Sequence, residues 1–140
     1  MDPKRIGIYG RSRGGMAASL LAVEIEDVKA AAFDAGVYEF QRAHEDGLPE
    51  IRKNMKSGTG MTPEAVRARS SILRMGRLRC PVLILHGEDD TRAPVSHAKL
   101  LAKCLEELNK DFQLHLFPGR EHEIGPERYV VATEFFKRRL

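Results

Sequence analysis

The chain has 140 residues, 42% hydrophobic and 31% charged, with 23 basic and 20 acidic side chains for a net charge of +3. That length suits one domain burying a single core, and the composition is that of an ordinary globular protein rather than a disordered one. The two charge signs are interspersed, with only short basic runs such as Lys137-Arg138-Arg139, which argues against a nucleic-acid binder. No apolar run nears the roughly 18 residues of a membrane span, and Cys80 and Cys104 are too few for a disulfide framework, so the expected setting is a reducing cytoplasm.

In chain order, Ile6-Gly7-Ile8-Tyr9 reads as a strand stopping at Gly10, and Gly14-Gly15 leads into a helical stretch at Met16 to Ala22. Val28 to Phe33 is a second short strand. From about 37 to 75 the sequence is polar and broken by Gly47, Pro49, Gly58, Gly60 and Pro63, which predicts a small excursion above the sheet with helices near Glu39 to His44 and Pro63 to Leu73. Pro81 to His86 is the clearest strand, a continuous bulky run suited to burial on both faces of a parallel sheet. Ser96 to Leu108 puts Ala98, Leu101, Ala102, Leu105 and Leu108 on one helical face. Phe112 to Phe117 alternates as an outer strand does, and Pro126 to Leu140 predicts a last amphipathic helix through Tyr129, Val130, Ala132, Thr133 and Phe136. The order βαβ(αα)βαβα implies parallel pairing with right-handed crossovers, hence an α/β sheet of about four strands flanked by helices.

Three segments carry chemistry. Gly10-Arg11-Ser12-Arg13-Gly14 fits G-x-S-x-G between a strand and a helix, the context in which a strained turn lifts a serine hydroxyl clear of the backbone. The flanking glycines are expected to relieve crowding in that turn, and Gly15 to allow close packing of helix on sheet. The helix start also offers the backbone N–H of Arg13 to the oxygen of an attacked carbonyl. His86-Gly87-Glu88-Asp89-Asp90 leaves the most buried strand at the end of the sheet where ligands bind. Phe117 to His122 leaves the last strand at the same edge, so the His122 imidazole can take a proton from Ser12 and later return it. Each segment alone has a plainer reading: a glycine-rich turn, acids capping the next helix, a surface histidine. Their order Ser, Asp, His is that of the α/β-hydrolases.

With these residues in place the sequence resembles the α/β-hydrolase superfamily, and within it the C-terminal half of the catalytic domain of the prolyl oligopeptidase family. Asp2-Pro3-Lys4-Arg5-Ile6-Gly7 is similar to that family's lead-in to the nucleophile, Cys80 to Asp90 with Arg92-Ala93-Pro94-Val95 to its acid segment, and Phe117 to His122 to its histidine loop. The resemblance makes Asp90 rather than Asp89 the acid, with spacings of 78 residues from Ser12 and 32 to His122, and makes His86 structural. Arg13 and Met16 stand where the family has tyrosine and a further aromatic. It implies a serine hydrolase acting by acyl transfer on peptides or small esters. The five histidines are scattered singly and the acids show no ligand spacing, so no metal or cofactor is expected.

The half-sheet and His-Gly-Gly loop that precede the nucleophile strand in that family, with its second oxyanion donor, have no counterpart here. The expectation is therefore a truncated hydrolase domain over residues 1–140, with the Ile6–Tyr9 edge open to a homodimer partner or to a separate N-terminal half. The alternative is a binding or assembly module that keeps these residues by descent. Arg11, Arg13, Arg92 and Arg120 lie beside the three segments and could favour an acidic substrate group, or could be solvated surface residues.

Overall fold

The computed structural model describes residues 2–140. The strands are β1 (Ile6–Arg11), β2 (Val28–Asp34), β3 (Val82–Gly87) and β4 (Phe112–Phe117). The helices are α1 (Arg13–Glu24), α2 (Phe40–Asp46), α3 (Pro49–Thr59), α4 (Pro63–Arg69), α5 (Ser96–Glu107) and α6 (Glu127–Arg139), with a 3₁₀ turn over Ser71–Arg77. The four strands form one parallel sheet in the order β1-β2-β3-β4. Parallel neighbours require crossovers, and α1, the excursion and α5 provide them in turn.

Period-two alternation splits β2 and β3 between two apolar layers. Ala31, Phe33, Val82 and Ile84 pack with Ala18, Val23, Leu101 and Leu105 of α1 and α5. Ala30, Ala32, Leu83 and Leu85 face the other way, onto Ala132 and Phe135 of α6 with Phe117 and Ile124. The run of alanines in β2 removes side-chain bulk where helices approach from both sides. β1 lies at the sheet margin and, among the described residues, pairs only with β2.

Three expectations need correction. The excursion holds three helices and a 3₁₀ turn: α3 is additional to the two expected helices, and the one expected over Pro63 to Leu73 ends at Arg69. Pro49 begins α3 and Gly60, in the left-handed conformation, ends it, so residues that read as breakers are its boundaries. Second, α6 turns Arg128, Ala132 and Phe135 inward, while Tyr129 and Val130 are exposed. The apolar count misled because Arg128 is buried in ion pairs with Asp34 and Glu123. Third, Leu108 lies beyond α5 and is exposed rather than on its inner face.

Candidate active site

The three loops converge at the carboxyl end of the sheet. β1 ends in a turn in which Ser12 takes φ 56° and ψ −118°, a conformation L-residues rarely adopt. It is held there by its neighbours: the Ser12 N–H donates to the Asp34 carbonyl at 2.8 Å, and the Ser12 carbonyl accepts from the Gly15 and Met16 N–H groups at 2.9 and 3.2 Å. Its hydroxyl does not cap α1. Instead it donates to His122 Nε2 at 3.0 Å.

His122 in turn donates from Nδ1 to Asp90 Oδ2 at 2.8 Å. That bond selects the tautomer whose Nε2 lone pair faces the serine. The other Asp90 oxygen accepts from the Arg92 and Ala93 N–H groups at 2.9 and 2.8 Å, so the acid also organises its own turn. Asp89 is exposed and makes no such contact with His122. The buried His86 donates from Nε2 to the Ala93 carbonyl at 2.7 Å and lies 3.4 Å from Asp90 Oδ2, a supporting position. Gly87 is required for this approach, because a Cβ there would stand 2.3 Å from the Glu121 carbonyl oxygen of the histidine loop.

Burial pushes the Asp90 carboxyl upward, but the hydrogen bonds from His122 and the Ala93 N–H, with the His86 imidazole close by, outweigh it and hold it well below the usual carboxylate range. A carboxylate that ionises more readily when folded contributes stability at pH values above its unfolded pKa, near 4, and that contribution drains away as pH falls through the lower folded value. The melting-temperature difference between the wild type and Asp90→Asn is therefore expected to be widest near neutral pH and to narrow below about pH 4. Thermal melts from neutral to acid check this, and a constant difference would contradict it.

The glycines of the turn divide unexpectedly. A Cβ at position 10 would stand 1.9 Å from the Gly14 carbonyl oxygen, and one at position 15 would stand 2.9 Å from that of Asp34, so Gly10 and Gly15 permit the close passage of α1 over the sheet. A Cβ at Gly14 meets nothing within 4 Å, which corrects the expectation that both flanking glycines relieve crowding. Arg13 is the first residue of α1, so its N–H belongs to the turn whose donors have no partner within the helix.

Among the arginines singled out from sequence, Arg11 donates to the His122 carbonyl at 3.1 Å and to Glu123 Oε2 at 2.7 Å, and Arg120 pairs with Glu127 at 2.8 Å. Neither lines the cavity above Ser12; Arg13 and Arg92 do. That cavity, of about 480 Å³, is bounded by Ser12, Met16 and His122 on one side and by Val37, Phe40, Ile51 and Met55 of the excursion on the other.

Sequence reasoning missed a charged network beside the site. The Tyr9 hydroxyl donates to Asp34 Oδ2 at 2.5 Å, Arg128 lies between Asp34 and Glu123, and Glu123 reaches Arg11. Burial raises the Asp34 carboxyl, and the Tyr9 hydrogen bond and the charges of Arg128 and Arg11 offset only part of that. The network ties the turn before Ser12 to the residue after His122. The only sequence signal was a lone Asp ending an apolar strand and an Arg on an amphipathic helix. Among the described residues no group of His, Cys, Asp or Glu is placed to hold a metal ion, and no helix is long and apolar enough to cross a membrane.

A parallel α/β sheet with a serine at a strained strand-to-helix turn, and an acid and a histidine on later loops, defines the α/β-hydrolase fold. The chain belongs to the prolyl oligopeptidase family, whose model matches residues 1–139. It is 32% identical over 145 residues to the uncharacterized peptidase YtmA of Bacillus subtilis, a match covering 96% of this chain and 56% of that protein. It is 28% identical over 130 residues to YuxL of the same organism, covering 89% of this chain and 20% of that protein. The chain thus spans about half of one of these relatives and a fifth of the other. Among solved structures, the acylaminoacyl peptidase of Pyrococcus horikoshii superposes with a TM-score of 0.88 at 23% identity, over 99% of this chain and 25% of that one. A puromycin-hydrolyzing peptidase of Mycobacterium tuberculosis superposes at 0.89 with 24% identity, over 99% of this chain and 22% of that one. These structural likenesses establish the shared fold.

Proposed function

We propose that this chain carries the catalytic triad of a serine hydrolase, a peptidase or esterase working by acyl transfer. Ser12 is the nucleophile, His122 the general base and then general acid, and Asp90 the carboxylate that orients the imidazole and stabilises its charged form. The observation that carries the reading is the unbroken hydrogen-bonded series from the Ser12 hydroxyl through His122 to Asp90, with distances of 3.0 and 2.8 Å.

The chemistry follows from that series. As the Ser12 oxygen attacks a carbonyl, its proton passes to His122 Nε2, and the imidazolium is held by the buried, ionised Asp90. The oxygen of the tetrahedral intermediate takes the Arg13 N–H, supported by the positive end of α1. His122 then returns the proton to the leaving amine or alcohol, and water repeats the sequence on the acyl-enzyme. The cavity walled by Phe40, Ile51 and Met55 receives the acyl side of the substrate.

Incubation with a fluorophosphonate tests the assignment, because such probes react only with a serine whose hydroxyl is activated. One adduct per chain, mapped by mass spectrometry to Ser12, is the expected result. A folded chain that forms no adduct, or an adduct on another serine, would overturn the proposal.

A further inference from the structure

Among the described residues, nine of the fifteen arginines lie within ion-pair distance of a carboxylate. Of the six that do not, Arg13, Arg69 and Arg92 line the cavity that holds Ser12 and His122, while Arg5, Arg52 and Arg138 lie elsewhere. No aspartate or glutamate lines it. Arg69 is half-buried, with its guanidinium 5.9 Å from the centre of the Phe40 ring and one N–H reaching the Ala65 carbonyl at 3.4 Å. Arg13 and Arg92 are exposed at the mouth. His97, buried in the cavity wall, has its nearest carboxylate, Asp46, 3.3 Å from Nε2, and Asp46 is shared with Arg42 at 3.5 Å.

Three permanent cations around one hollow repel each other unless an anion joins them, and apolar walls of low polarisability strengthen their joint field inside it. A guanidinium offers a planar fork of donors matched to a carboxylate. We infer that the cavity selects acyl substrates bearing a carboxylate, gripped by Arg13, Arg69 and Arg92 while the scissile carbonyl lies at Ser12. The placement of the scissile carbonyl rests on the proposed nucleophile; the charge preference does not.

The test compares kcat/KM for the 4-nitroanilides of succinyl-alanine and acetyl-alanine, which differ at the acyl end by a carboxymethyl group. The full-length chain is expected to prefer the succinyl compound by on the order of tenfold or more at low salt, since one hydrogen bond to a charged group is worth at least that factor. The preference should shrink as salt is raised, and in Arg69→Met/Arg92→Met it should fall to about one. Arg138→Met, at an exposed arginine outside the cavity, should keep the wild-type ratio. Titration of Ser12→Ala with succinyl- and acetyl-alanine amide reads the preference without turnover, the succinyl compound binding more tightly. Equal binding and equal hydrolysis in a chain that labels at Ser12 would overturn this inference alone. Tighter succinyl binding by a chain that never labels would support it and overturn the catalytic reading.

Discussion

Ser12→Ala and His122→Ala are each expected to lower kcat by about 10⁵- to 10⁶-fold, and the double variant by no more than either alone, because nucleophile and base act as one unit. The prediction follows from the 3.0 Å contact between the two side chains: without the imidazole the hydroxyl keeps its proton, and without the hydroxyl the imidazole has nothing to activate. Asp90→Asn separates orientation from attack. Asparagine can still accept the Arg92 and Ala93 N–H groups and so preserve the turn. Its amide group, however, donates to Nδ1 and drives the proton to Nε2, the wrong tautomer for accepting from Ser12. A loss of roughly 10⁴ in kcat is expected with little change in fold. Turnover of a 4-nitroanilide, with circular dichroism as the folding control, checks the series. A Ser12→Ala variant retaining more than about 1% of wild-type turnover would be incompatible with the assigned roles.

Gly10→Ala and Gly14→Ala, four residues apart in one motif, are expected to have opposite effects on stability. At Gly10 the added methyl meets main-chain atoms, 1.9 Å from the Gly14 oxygen and 2.4 Å from its carbonyl carbon, and these cannot step aside by changing rotamer. Relief requires α1 to lift from the sheet, which would disrupt its packing through Ala18, Ala22 and Val23. A cost of about 3 kcal/mol or more is expected, a large fraction of the roughly 5–15 kcal/mol by which a domain is ordinarily stable. At Gly14 the methyl enters open space on a helical residue, where alanine restricts the unfolded chain more than glycine does. A gain of about 0.4–1 kcal/mol is expected. Urea unfolding of the two variants decides the matter, and equal midpoints would show that the turn relaxes more freely than its main-chain contacts allow.

The sheet and the three loops were legible because each depends on local pattern. β3 reads as a doubly buried strand from its continuous apolar run, and G-x-S-x-G reads as a turn from its position between a strand and a helix. What escaped depends on distance through space. α3 has no buried residue, its Ile51 and Met55 facing the cavity instead of the core, so periodicity had little to report. The inward face of α6 is set by Arg128, whose burial makes sense only once Asp34 and Glu123 are seen beside it. Arg11 and Arg120 were drawn into the site by sequence proximity, while the structure commits them to Glu123 and Glu127 and brings Arg69 to the cavity in their place.

The bond between His122 and Ser12 spans 110 residues of sequence, and the Arg11 to Glu123 pair spans 112. Such contacts are expected to form late in folding, because the loop they close is long and gains nothing until the intervening strands have paired. A partly assembled molecule can thus hold a finished β1, α1 and β2 while its serine remains as inert as any other. On the proposed roles, chemical competence is expected only once β4 docks and the loop after it brings His122 to Ser12, so the appearance of probe reactivity during refolding would mark the moment the outermost strand is home.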